Sequence, residues 1–273
     1  MHNAKFSLTL SHENTSIMNE YLYKETDNLS ALITAQPQLL LTLSHFGIPM
    51  GFGDKTIAQV CAENGVNPQF FLLICEVYSN DNYVPSPAKL RATPMEGLVP
   101  YLLRSHDYYL NRRLPHIGHH LEKIADMLPP RAGKAIKQFF NAYIEEVREH
   151  FAHEEKIVYP HIKRLLNREN CDKFTIKSYL DTHDNLEEKL SDLVQIIFKY
   201  LPSSSHKEGF HTPPLSPSIL EGELPLSPSH GDDDAIDMIF DILQLSHDLR
   251  KHAIIEDKIL GPYVKQLEKS AKP

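Results

Sequence analysis

Glu149-His-Phe-Ala-His-Glu-Glu-Lys-Ile-Val-Tyr-Pro160 and Lys251-His-Ala-Ile-Ile-Glu-Asp-Lys-Ile-Leu-Gly-Pro262 share one pattern. Each sets a His and, four residues on, a Glu inside an apolar row. An α-helix turns by about 100° per residue, so positions three and four apart share a face. The later row reads Met238, Ile242, Leu245, Leu249, His252, Glu256, Ile259, Tyr263, and the earlier one Phe139, Tyr143, Val147, His150, Glu154, Ile157. Both are helical seams that face a core, with two polar residues one turn apart in the middle.

Outward from these seams, two more helical rows carry one His each. One is Leu98, Leu102, His106, Tyr109, then Ile117, Leu121 and Ile124; the other is Tyr179, His183, Leu186, Leu190, Leu193, Ile197. The spacing predicts four long helices over about 95–127, 132–168, 173–201 and 234–268. Short first and second connections make those neighbours antiparallel, and β-type alternation of useful length is missing. The fold class is all-α, an up-down four-helix bundle. A buried carboxylate without a partner costs several kcal/mol even after relaxation. One His-x-x-x-Glu pair could satisfy itself by a hydrogen bond along the helix. Two such pairs, with a lone His on each remaining helix, call for a shared explanation, and a metal cluster provides it. His106, His150, Glu154, His183, His252 and Glu256 are therefore the candidate metal ligands. Imidazole and carboxylate donors without thiolate suit iron, manganese or zinc, and two Glu able to bridge suggest two ions.

The rest of the chain is read around that bundle. Residues 1–26 form a polar lead-in, and 27–80 a small helical unit with a capped start in Asp27-Asn-Leu-Ser, a helix stop at Gly65 and a further start at Asn67-Pro68. Residues 81–94, with three prolines, read as a linker, and the Ser/Pro-rich 202–234 as a disordered insert that carries His206, His211 and His230. Of the other histidines, His161 lies ~16 Å from His150 along the axis, His153 points outward and His247 falls off the seam. His116 and His120 read as a surface pair. The 273 residues carry 28 Lys plus Arg against 36 Asp plus Glu, a charge of −8 that disfavours nonspecific nucleic-acid binding. Thr56 to Phe71 can be read as a helix-turn-helix, yet 27–80 holds one Lys, no Arg and four acids, a poor match to phosphates. Widely spaced Cys61, Cys75 and Cys171, no bilayer-length apolar run and no secretion signal fit a cytoplasmic protein without a membrane partner.

The two opening stretches, with Ser105-His-Asp-Tyr-Tyr and Thr182-His-Asp-Asn-Leu-Glu, resemble the four metal-binding segments of hemerythrin-like (HHE) domains. Within that group the chain is most similar to the di-iron proteins that repair iron–sulfur clusters after nitrosative or oxidative stress, which carry a small N-terminal helical domain. The resemblance implies two non-haem iron ions, open to an oxo bridge, with Glu154 and Glu256 bridging. It also implies O2 or NO as small ligands and iron–sulfur proteins as clients. Enzymatic turnover and oligomeric state stay open, a dimer being one option. The chain departs from the family pattern where adjacent cysteines precede a Gly-Gly, here Met50-Gly-Phe-Gly53 without a thiol. A seventh His has no clear counterpart, since Leu128 falls near its place; His116, His119 and His120 are the options. The alternative is a di-iron sensor of O2, NO or redox state acting through protein contacts of the N-terminal unit, DNA being the weaker partner. A third reading is an O2-storage bundle.

Overall fold

The computed structural model describes residues 23–169, 174–181, 186–201 and 230–271, the side chains of 230–232 excepted. Among these residues every regular element is helical. The first five helices are α1 (Leu29–Ala35), α2 (Leu40–Phe46), α3 (Ile57–Glu63), α4 (Pro68–Ser79) and α5 (Pro87–Ala92). Their starts follow from capping side chains: Asn28 accepts from the Ala31 amide, Asn67 from Phe70, and Thr56 with Gln59 forms a reciprocal capping box. α5 falls inside the stretch expected as a linker, started by Ser86 and Pro87. That stretch is tied down: the buried Lys89 ammonium bonds Glu76 at 2.6 Å, and Asp81 takes Arg250 and Lys251 of a distant helix.

The bundle follows as α6 (Leu98–Tyr108) continued by α7 (Leu114–Met127), α8 (Pro130–His153) continued by α9 (Tyr159–Leu166), and α10 (Ile176–Leu180) with α11 (Leu186–Tyr200). The last rod is α12 (His230–Ile255) continued by α13 (Gly261–Ala271). α7, α8, α11 and α12 form a ring in which each packs on two others. The turn at Leu128-Pro129 is short enough that α7 and α8 run antiparallel, and they approach closely: a Cβ on Gly133 would stand 2.2 Å from the Ala125 carbonyl oxygen. α12 begins at His230, so the last residues of the expected insert are helical. Ala235 and Met238 anchor that first stretch in the core, and Asp233 and Asp234 near its start favour the helix dipole.

Three of the rods are not uniformly α-helical. A π-turn interrupts each, at Tyr109–Arg113, Glu154–Val158 and Glu256–Leu260. In all three a proline (Pro115, Pro160, Pro262) stands two residues beyond the turn. Proline lacks the amide that would close the α-ladder four residues back, and a wider turn just before it re-pairs the backbone. The extra residue shifts the register. Ile157, expected in the seam, points outward at 41 % exposure, and Val158 takes the core position.

Among the described residues two apolar clusters form the core. One joins α1 to α6 with α9, α10 and α13; the other is the ring of α7, α8, α11 and α12. His106, Glu154 and His252 lie where the two clusters meet, each flanked along its helix by a residue of either cluster, and Glu256 follows one turn after His252.

Candidate metal centre

The polar seam residues are placed by helix periodicity, and then adjusted by the π-turns that begin at Glu154 and Glu256. His106, Glu154, His252 and Glu256 are buried, and His150 is half-buried. Two groups of side chains could each hold a cation: His106, Glu154 and His252, and His150, Glu154 and Glu256, with donor atoms inside each group within 4.8 Å of one another. Five of the six residues expected from the sequence thus come together, in two donor groups that share Glu154. His183 lies outside the described residues.

Glu154 is the shared member. Its Oε2 stands 3.0 Å from His106 Nε2 and its Oε1 2.8 Å from His150 Nε2. His252 Nε2 lies 3.4 Å from His106 Nε2 and 3.6 Å from Glu256 Oε1. Burial would raise the Glu154 carboxyl, but the bonds to His106 and His150 outweigh it and hold the group well below the usual carboxylate range. His106 is the mirror case: burial depresses it, and Glu154 and Glu155 more than reverse this, leaving it above the ordinary His value.

Around these atoms sits a supporting layer absent from the sequence reading. His106 Nδ1 bonds Glu155 at 2.9 Å, and His252 Nδ1 bonds the Ser105 hydroxyl at 2.9 Å. Such bonds fix the ring orientation and leave Nε2 aimed at the site. Phe151 stacks on His106 with centroids 3.9 Å apart and planes within 7°. Two tyrosines reach the shared carboxylate: Tyr179 donates to Glu154 Oε1 at 2.6 Å, and Tyr159 lies 3.3 Å from Oε2. Burial first, then Glu154 and Glu256, push the Tyr159 phenol well above its usual range. A narrow cleft of about 10 Å³, lined by His150, Leu186, Leu249 and His252, leads to the His150 side. That volume is on the order of a single water.

Other histidines among the described residues serve elsewhere. His116 pairs with Asp241 at 3.0 Å and packs on His120, which packs on His119; none of the three belongs to either donor group. His161 is buried, bonded to Glu268 of α13 at 3.1 Å. A further buried cluster went unread in the sequence. His45 of α2 lies 3.5 Å from the Asp248 carboxylate, which also takes the Tyr78 hydroxyl at 2.5 Å, with Tyr101 and Tyr109 edge-on to the imidazole. Asp248 is one helical turn before His252, so the small N-terminal unit touches the rod that carries His252 and Glu256.

A helical bundle with buried imidazoles and a shared carboxylate at its seam defines a class, the cation-binding four-helix proteins. Residues 100–204 match the family described as Hemerythrin HHE cation binding domain. The match includes His106, His150, Glu154 and His183 and ends ahead of α12, which carries His252. No curated protein matches the chain. Among the described residues no helix is long and apolar enough to cross a membrane.

Proposed function

We propose that the chain is a di-iron protein of the nitrosative and oxidative stress response, which repairs damaged iron–sulfur clusters or supplies iron to them. The observation that supports two ions is the placement of Glu154, one oxygen against His106 and the other against His150. A carboxylate spread across two donor groups would serve as a ligand to both ions. The donor set fits iron: imidazole and carboxylate, no thiolate, in a pocket closed by Phe151. His106, His252 and Glu154 would hold one ion, His150, Glu154 and Glu256 the other, with His183 as the sixth ligand. A bound iron pair supplies exchange between Fe(II) and Fe(III) and open positions for O2 or NO.

The chain's own residues do the rest. Ser105 and Glu155 orient the imidazoles, Tyr179 steadies the bridging carboxylate, and the cleft beside His150 admits only a small ligand. His150, at the solvent edge, is the ligand through which an iron would leave toward a client. Metal content tests the site: wild type should bind two iron ions per chain and Glu154→Ala should lose them, whereas unchanged iron in that variant removes Glu154 from the ligand set. The role is tested by adding loaded chain to an iron–sulfur protein damaged by NO or peroxide. Recovery with loaded but not metal-free chain supports repair; equal recovery with both contradicts it.

The sensor reading draws support from the His45–Asp248 contact, which links the N-terminal unit to the His252 rod. A DNA partner fits poorly: α4, the second helix of the helix-turn-helix reading, is buried at every residue from Phe70 to Tyr78.

A further inference from the structure

We infer that Tyr159 is itself a metal ligand, its phenol oxygen joining His106, His252 and Glu154 on one ion and leaving the other ion without such a donor. The inference rests on the metal-centre reading above. Its ground is the triangle formed by three donor atoms: Tyr159 Oη lies 3.3 Å from His106 Nε2 and 3.3 Å from Glu154 Oε2, themselves 3.0 Å apart. Donors at right angles on an ion with bonds of roughly 2.1 Å stand roughly 3.0 Å from one another. All three edges of the triangle are near that value. At 3.3 Å the hydroxyl is long for an O–H···O⁻ hydrogen bond, which runs at about 2.5–2.7 Å. Tyr179 provides the contrast. Its hydroxyl is 2.6 Å from Glu154 Oε1, the length of such a hydrogen bond, and marks it as a support rather than a ligand.

The backbone explains how a residue five beyond Glu154 reaches the same ion. In an α-helix it would lie about 140° around the axis. The π-turn closes the Tyr159 amide on the Glu154 carbonyl instead, which stacks the two residues on one face. In the second segment the same turn closes on Gly261, which offers no donor. Binding replaces the phenol O–H bond by a metal–oxygen bond and releases the proton to solvent, as for other ligands that deprotonate on metal uptake.

The test uses the full chain loaded with Fe(II) and oxidised in air to the ferric form. A phenolate on ferric iron gives a charge-transfer band in the visible and resonance-enhanced tyrosinate ring modes. Expected is a band that is lost, per iron bound, in Tyr159→Phe and in Tyr159→His, and kept in Tyr179→Phe. Tyr159→His retains a donor, so iron content holds while the band goes. Wild-type protein with two irons and no such band or ring modes overturns the inference but leaves the di-iron reading standing. A band that survives Tyr159→Phe, or that disappears with Tyr179→Phe instead, overturns it as well. A chain that binds no iron overturns both.

Discussion

The segments His150–Pro160 and His252–Pro262 are built alike and do different work. Each has a His, a buried Glu one turn later, a π-turn starting at that Glu, and a proline two residues past the turn. The first sends Glu154 into both donor groups and ends on Tyr159; the second sends Glu256 into one group and ends on Gly261. A Cβ at the Gly261 position would stand 2.6 Å from Leu180 Cδ1, so a side chain there would push the end of the Leu180 side chain aside. One repeat spends the post-turn position on chemistry, the other on packing α10 against α13. A shared motif therefore does not imply equal shares of the site.

Substitution of the two glutamates should expose this asymmetry most strongly. Glu154→Ala should empty both positions, and Glu256→Ala should leave about one ion per chain, as metal analysis after gel filtration will report. Equal loss from the two variants would break the comparison. Next in size is the supporting layer. Ser105→Ala removes the partner of His252 Nδ1 and should weaken metal binding by roughly 10–100-fold, measured by competition with a chelator. Glu155→Ala should do less, because Glu155 is 42 % exposed and water can replace it. Gly133→Ala should lower the urea unfolding free energy by about 1–3 kcal/mol, because its Cβ would collide with the Ala125 carbonyl oxygen, while Tyr159→Phe costs the metal-free protein less. The smallest effect is that of pH on metal-free stability. Glu154 is held below its ordinary 4.5, so its contribution is present above that value and is lost as pH falls through its folded value. His106 is held above 6.5, so its contribution is complete below 6.5 and is lost as pH rises through its folded value. The urea midpoint should therefore fall on both sides of a weakly acidic window; a midpoint flat from pH 6.5 upward to 9 would deny the His106 interaction, and one flat as the pH falls well below 4.5 would deny that of Glu154.

The seams were legible because burial needs periodicity: His106, His150, Glu154, His252 and Glu256 stand where three-four spacing puts them. What that spacing hid has identifiable causes. Tyr159 lies off the α-helical face and only the π-turn returns it, with Pro160 as the one mark in the sequence that the ladder changes there. Ile157 was misplaced by the same shift. Ser105, beside His106, and Glu155, beside Glu154, act through the far nitrogen of an imidazole or through a neighbouring turn, contacts that depend on how rods are rotated. His45 and Asp248 lie about two hundred residues apart in sequence and meet only through the packing of α2 and α12. Lys89 was hidden because three prolines made its surroundings look like a linker, although one of them starts α5.

The central claim is that Glu154 bridges two ions, and anomalous X-ray diffraction at the iron edge from crystals of the iron-loaded chain tests it most directly. Two peaks roughly 3.5–4 Å apart, one on each oxygen of Glu154, are the predicted result. A single peak, or peaks at His116 and His120 away from Glu154, would contradict it.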